Sequence, residues 1–292
     1  MLLGLGLAVA MTTAALAQDP IKIVYIGKNT GNPYFDSITG GFVDACAARG
    51  CEFEFVAPAT AEATSQIPII EAQIQRGVNV IGIAPNSPDA LNQVLDKARA
   101  KGILVLTVNG DVTGNEDKRD ATILPVNFDI VGRDQIEMVG SLIGYEGEIA
   151  ILSATTEAPD QNKWIVGMNE TLKSDPKYAK MTLVATVYGD DQPEKSTTEM
   201  EALLANFPNL KGVIAPTTVG IAAAAQVVQS RGLAETVKVT GLGLLDGSIK
   251  NEVGGTFEVP NLGTIKINDK NSINTQAELT TFNAANIDEF DF

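Results

Sequence analysis

Five short polar clusters interrupt a chain otherwise rich in Val, Ile, Leu and Ala: Lys28-Asn29-Thr30, Pro85-Asn86-Ser87, Asn109-Gly110-Asp111, Pro159-Asp160-Gln161-Asn162 and Pro216-Thr217-Thr218. Each follows directly on an apolar run. Carboxylates, amides and a lysine are what a polyhydroxyl ligand requires, because an ionised Asp accepts several hydroxyl hydrogen bonds while Lys, Asn and Gln return donors. Two aromatics stand close by. Phe35 falls in the first turn of a helix opened by Pro33, and Trp164 lies one helical turn after Asp160. Either can lay a flat face against the apolar side of a ligand. Taken singly, each cluster reads equally well as a solvated loop and each aromatic as core. Their shared position in the fold carries the argument.

That position follows from the punctuation of the chain. Strand-like runs fall at 21–26, 52–56, 78–84, 103–108, 147–152, 181–187, 212–215 and 237–242, and amphipathic helical patterns at 35–49, 63–76, 89–101, 160–174, 193–206 and 220–231. Four helices run into a basic residue and then Gly50, Gly77, Gly102 or Gly232. Glycine takes the left-handed cap there, and the preceding cation suits the negative end of the helix dipole. Near-continuous Val/Ile/Leu strands fit a parallel sheet covered on both faces. The repeated βα units predict a doubly wound α/β fold with two lobes, in which all five clusters sit at carboxyl ends of strands and line one cleft.

The balance of 36 acidic against 21 basic residues, a net charge of −15, excludes nucleic acid and anionic membrane surfaces as partners, since both need basic patches. The chain has no histidine, which removes the commonest general base and metal ligand. No cofactor, metal or catalytic residue is expected. Residues 1–17 are apolar and uncharged and end in Ala15-Leu16-Ala17, the small-x-small pattern of a secretory signal peptide, with Gln18 as the mature start. Cys46 and Cys51 are the two cysteines. In an exported chain they form either a short disulfide or a pair of buried thiols. The expected divisions are a signal peptide at 1–17, an N-terminal lobe at 18–124, a C-terminal lobe at 125–243, and a tail at 244–292 packed across the lobe junction. The extended segment 122–129 is read as the crossover. The run Gly241-Leu-Gly243-Leu-Leu-Asp-Gly247 departs from a dinucleotide fingerprint in its last glycine and precedes no clear helix.

The segments GKNTGNPYF, APATAEATSQIPIIEAQIQRGVNVIGIAPNSPDAL, LTVNGD, SATTEAPDQNKW and IAPTTVG resemble the periplasmic sugar-binding proteins of ABC importers, in particular their rhamnose-binding and autoinducer-2-binding branch. The resemblance runs from Ile21 to about Gly243. It implies type I periplasmic binding protein architecture: two Rossmann-like lobes joined by crossovers and closing on one sugar. It also implies a monomer that serves a permease in the inner membrane and catalyses nothing. Carried over residue by residue, the ligand set is Lys28, Asp111, Asp160, Gln161 and Pro216, with Thr218 where the autoinducer-2 receptors have Ala. Asn29, Asn109, Phe35 and Trp164 complete the expected site. The Thr218 departure and the closer likeness to rhamnose binders favour rhamnose or a similar deoxyhexose. The alternatives are an autoinducer-2 receptor or a sugar receptor for a membrane sensor. Measured against the family, one βα unit of about 30–40 residues is missing after Gly243, which shortens the C-terminal lobe.

Overall fold

The computed structural model describes residues 19–242 and, beyond them, three strands at 256–259, 263–268 and 273–275. The expected signal peptide and the junction after Gly243 lie outside the described residues. The first lobe alternates β1 (Lys22–Ile26), α1 (Tyr34–Arg49), β2 (Glu52–Val56), α2 (Ile67–Arg76), β3 (Val80–Ile83), α3 (Asn92–Ala100), β4 (Leu104–Val108) and β5 (Ala121–Ile123). The second runs α4 (Val131–Ile143), β6 (Glu146–Ser153), α5 (Pro159–Ser174), β7 (Lys180–Tyr188), α6 (Pro193–Asn206), β8 (Leu210–Ala215), α7 (Thr218–Ser230) and β9 (Lys238–Gly241). Three later strands, β10 (Thr256–Val259), β11 (Gly263–Asn268) and β12 (Ile273–Thr275), return to the first lobe.

The fold has two sheets. The first has the order β10-β11-β12-β5-β4-β3-β1-β2, and the second has the order β7-β6-β8-β9 among the described residues. All pairings are parallel except β10 with β11 and β11 with β12. The central strands are largely apolar because both faces are covered along most of their length. On β1, Val24 and Ile26 enter one core with Ile70, Leu91 and Leu95, while Tyr25 enters another with Phe35. On β6, Ile149 and Ile151 face one core, and Ala150 and Leu152 the other. Each fully buried Ile or Leu contributes about 1.5–3 kcal/mol, so the apolar strand runs form the body of both lobes.

The expected glycine caps are present, with left-handed φ at Gly50, Gly77, Gly102 and Gly232. Cys46 and Cys51 are bonded, tying the end of α1 to the entry of β2 across a Cα–Cα distance of 4.6 Å. Helix α4 is not among the helices singled out from periodicity. Gly132 and Gly140 interrupt its apolar pattern, and Gly132 has a packing role. A Cβ there would lie 2.6 Å from the Trp164 carbonyl and 2.7 Å from the Met168 nitrogen, so glycine lets α4 lie directly on α5.

The chain leaves the first sheet after β5 and reaches the second core at Val126 and Phe128. The expected extended segment is strand only at its start. In the tail, β12 pairs in parallel with β5, Ile273 opposite Thr122, and so extends the first sheet. Among the described residues no helix is long and apolar enough to cross a membrane.

Candidate functional site

The strand orders place a switch point between β1 and β3 in the first sheet and between β6 and β8 in the second. Ligands bind at such points because the loops on either side diverge and leave a crevice at the strands' carboxyl ends. Lys28 and Asn29 follow β1, Asn86 follows β3, Asp160 and Gln161 follow β6, and Thr217 follows β8.

The two switch points meet. Lys28 Nζ donates to both carboxylate oxygens of Asp160 at 2.7 and 2.8 Å, and both side chains are almost fully buried. Asp160 lies in the first turn of α5, just after Pro159, where the free amides and the helix dipole favour a negative charge. Asn109 Nδ2 lies 3.4 Å from Asp160 Oδ2, and the Tyr34 hydroxyl donates to Asn109 Oδ1 at 2.5 Å. Asn109 takes a left-handed φ of 74°, a conformation Asn tolerates better than most residues. Desolvation and then the Asp160 charge push the Tyr34 hydroxyl above the ordinary phenol range, so it stays a donor. A further contact crosses the lobes: Asn29 Nδ2 donates to the Asp191 carbonyl at 3.3 Å.

A buried amide network holds Lys28 in place. Gln66 Nε2 donates to the carbonyls of Gly27 and Ala84 at 2.9 and 2.7 Å, and its Oε1 accepts the Asn86 amide at 2.9 Å. Asn86 in turn donates to the Lys28 carbonyl at 2.9 Å. Gln66→Ala would orphan two carbonyls and one amide. It should lower the urea midpoint at unchanged slope, by the equivalent of about 2–4 kcal/mol.

Asp111 is held within the first lobe. Its Oδ1 accepts from Thr107 Oγ1 at 2.7 Å, the Val112 amide at 2.9 Å and Arg119 Nε at 2.9 Å, and its Oδ2 accepts from an Arg119 terminal nitrogen at 2.8 Å. Its partners are therefore protein groups of its own lobe. Gln161 Oε1 accepts from Ser153 Oγ at 2.6 Å and the Ala154 amide at 2.7 Å, which leaves its Nε2 without a partner among the described residues. Pro216 is buried beside Thr217, and Thr218 opens α7 half-exposed.

The two aromatics are placed in the cores. Phe35 packs with Tyr25, Tyr34 and Phe55, and Trp164 stands edge-on to Phe128 in the second lobe. Tyr34 is the aromatic that reaches the polar cluster. Sequence reasoning missed Gln66, Arg119 and Asp191, and of the two aromatics that follow Pro33 it chose Phe35 rather than Tyr34. Of these, Asp191 carried a readable signal, since Gly189-Asp190-Asp191 follows a strand just as the other clusters do.

Residues 23–265 match the family model described as a periplasmic binding protein domain. The chain belongs to the periplasmic binding protein family. A solute-binding protein of an ABC transporter from Clostridium phytofermentas, solved with bound L-rhamnose, superposes on this binding protein with a TM-score of 0.83 at 31% identity, covering 92% of this chain and 98% of that one. A sugar ABC transporter protein from Actinomyces odontolyticus is 36% identical, with a TM-score of 0.64 over 93% of this chain and 98% of its own. The xylose/arabinose-binding protein of Sulfolobus acidocaldarius is 24% identical over 252 residues, 81% of this chain and 60% of that protein. This chain thus spans less than two thirds of that relative's length. The sugars named for these relatives differ, L-rhamnose in one and xylose or arabinose in another.

Proposed function

We propose that this chain is the exported sugar receptor of an ABC importer, closing its lobes on one neutral monosaccharide, with L-rhamnose or a similar deoxyhexose as ligand. The observation that carries the reading is the convergence of polar residues from both switch points at one buried place, with Lys28 of one lobe against Asp160 of the other. Lys28 has three N–H donors and Asp160 has lone pairs beyond those Lys28 uses, so the pair can bind vicinal hydroxyls without either charge leaving its partner. Asn109, Tyr34 and the free Gln161 amide add groups of both kinds. Similarity to the rhamnose-bound relative supports the choice of sugar, and Thr218 in place of Ala disfavours autoinducer-2.

In this reading the open form admits the sugar, hydrogen bonds from both lobes shift the population to the closed form, and the closed face docks a membrane permease. The test is a thermal melt of residues 18–292 with L-rhamnose, other deoxyhexoses, D-ribose, D-xylose and autoinducer-2. A ligand at 100 times its dissociation constant adds about 2.7 kcal/mol of stability. The expected result is a shift with a deoxyhexose. A shift with autoinducer-2 alone, or with no sugar, would overturn the assignment.

A further inference from the structure

Three carboxylates gather at the cleft, and only two have cations of their own. Asp160 is held by Lys28 and Asp111 by Arg119. Asp191 is 5% exposed, and among the described residues it has no salt-bridge partner. Thr217 Oγ1 donates to its Oδ1, and no donor among the described residues meets its Oδ2. The adjacent Asp190 does not share this condition, since Lys195 Nζ binds it at 2.6 Å. Asp190 and Asp191 both take left-handed φ, 54° and 52°, a conformation that costs non-glycine residues free energy and persists where the surroundings impose it. The Asp191 backbone is also what Asn29 of the opposite lobe touches, so this carboxylate sits at the seam that closes.

We propose that Asp191, braced by Thr217, is a ligand-facing acceptor supplied by the second lobe, and that it restricts the cleft to uncharged or cationic sugars and turns away sugar acids. The inference rests on the sugar-receptor reading and adds a substrate class to it. A buried carboxylate with an unused oxygen is satisfied by a hydroxyl or ammonium donor and repels a second carboxylate. Burial raises its pKa. Lys28 and the Thr217 hydrogen bond pull it back down, and Asp160 and Asp190 add to the rise. The ionised group is thus disfavoured between the closed lobes and is relieved by a donor from the ligand.

The test compares wild type, Asp191→Asn and Thr217→Val by calorimetric titration at pH 7 with the neutral sugars of the melt panel and with D-galacturonate, alongside melts without ligand. Asn presents an amide donor where Asp presents an acceptor. Asp191→Asn should weaken the neutral sugar about 10- to 100-fold and narrow its advantage over galacturonate, while the unliganded protein melts at the same temperature or higher. Thr217→Val should act in the same direction by a smaller factor. The proposal is overturned if Asp191→Asn binds the neutral sugar within two-fold of wild type. It is overturned equally if wild type binds galacturonate as tightly as the neutral sugar, or if Asp191→Asn melts well below wild type. A wild-type protein that binds none of the neutral sugars refutes the receptor reading instead, and the unliganded melts then still report whether the Asp191 charge is unfavourable in the cleft.

Discussion

Lys28→Met should lose at least about 100-fold in sugar affinity while leaving the unfolding free energy within about 1 kcal/mol of wild type. The reasoning turns on where the pair lies. Removing one partner of a buried ion pair ordinarily costs about 3–5 kcal/mol, because the other charge is left without compensation. Here the partners belong to different lobes: Lys28 follows β1 and Asp160 sits in the first turn of α5. Separating the lobes gives Asp160 back to water, next to free amides that suit it. The cost therefore falls on the closed state, and the population moves toward the open form. Sugar titration gives the affinity, chemical denaturation gives the stability, and small-angle scattering should show a larger radius for the variant in the presence of sugar. A variant that unfolds several kcal/mol early would mean that Lys28 supports the first lobe itself.

Asp111→Ala should behave in the opposite way, lowering the unfolding free energy by about 3–5 kcal/mol. Asp111 and Arg119 flank the same connection between β4 and β5, and their side chains are 11% and 8% exposed. Lobe opening does not part them, so a truncated Asp111 leaves a buried guanidinium inside one folded unit. Thr107 and the Val112 amide lose an acceptor as well. Arg119→Met alone should cost a similar amount. The double variant should recover part of the loss, because an uncharged pair no longer leaves an ion stranded. Urea unfolding of the two single variants and the double variant closes the cycle. Additive losses would show that the two residues act independently.

The lobes were legible because their signals are local. Glycine caps, buried strand runs and their alternation with helices need no knowledge of the partner lobe. The strand carboxyl ends likewise pointed to Lys28, Asn109 and Asp160, which the structure brings together. The sequence did not reveal which side chains already have partners within the protein. Asp111 looks like a free acceptor until Arg119, eight residues on, is seen to fold back on it. Phe35 and Tyr34 are adjacent in sequence, and only the helix phase decides that Phe35 turns into the core while Tyr34 reaches Asn109. Gln66 draws together three backbone groups from the two connections after β1 and β3, an arrangement without a sequence signature.

The pairing of β12 with β5 also sets an order of events as the chain folds. Among the described residues, 131–241 form a sheet and its helices from one uninterrupted stretch, so this part can fold from local pieces of chain. The first part cannot. Its sheet stays open along the β5 edge until Ile273 arrives opposite Thr122, from beyond the whole second lobe. A contact this distant in sequence carries a large loop-closure cost and forms late. The first lobe is therefore the last to be completed, and a chain stopped before residue 273 leaves β5 as an unprotected edge, open to pairing with other chains.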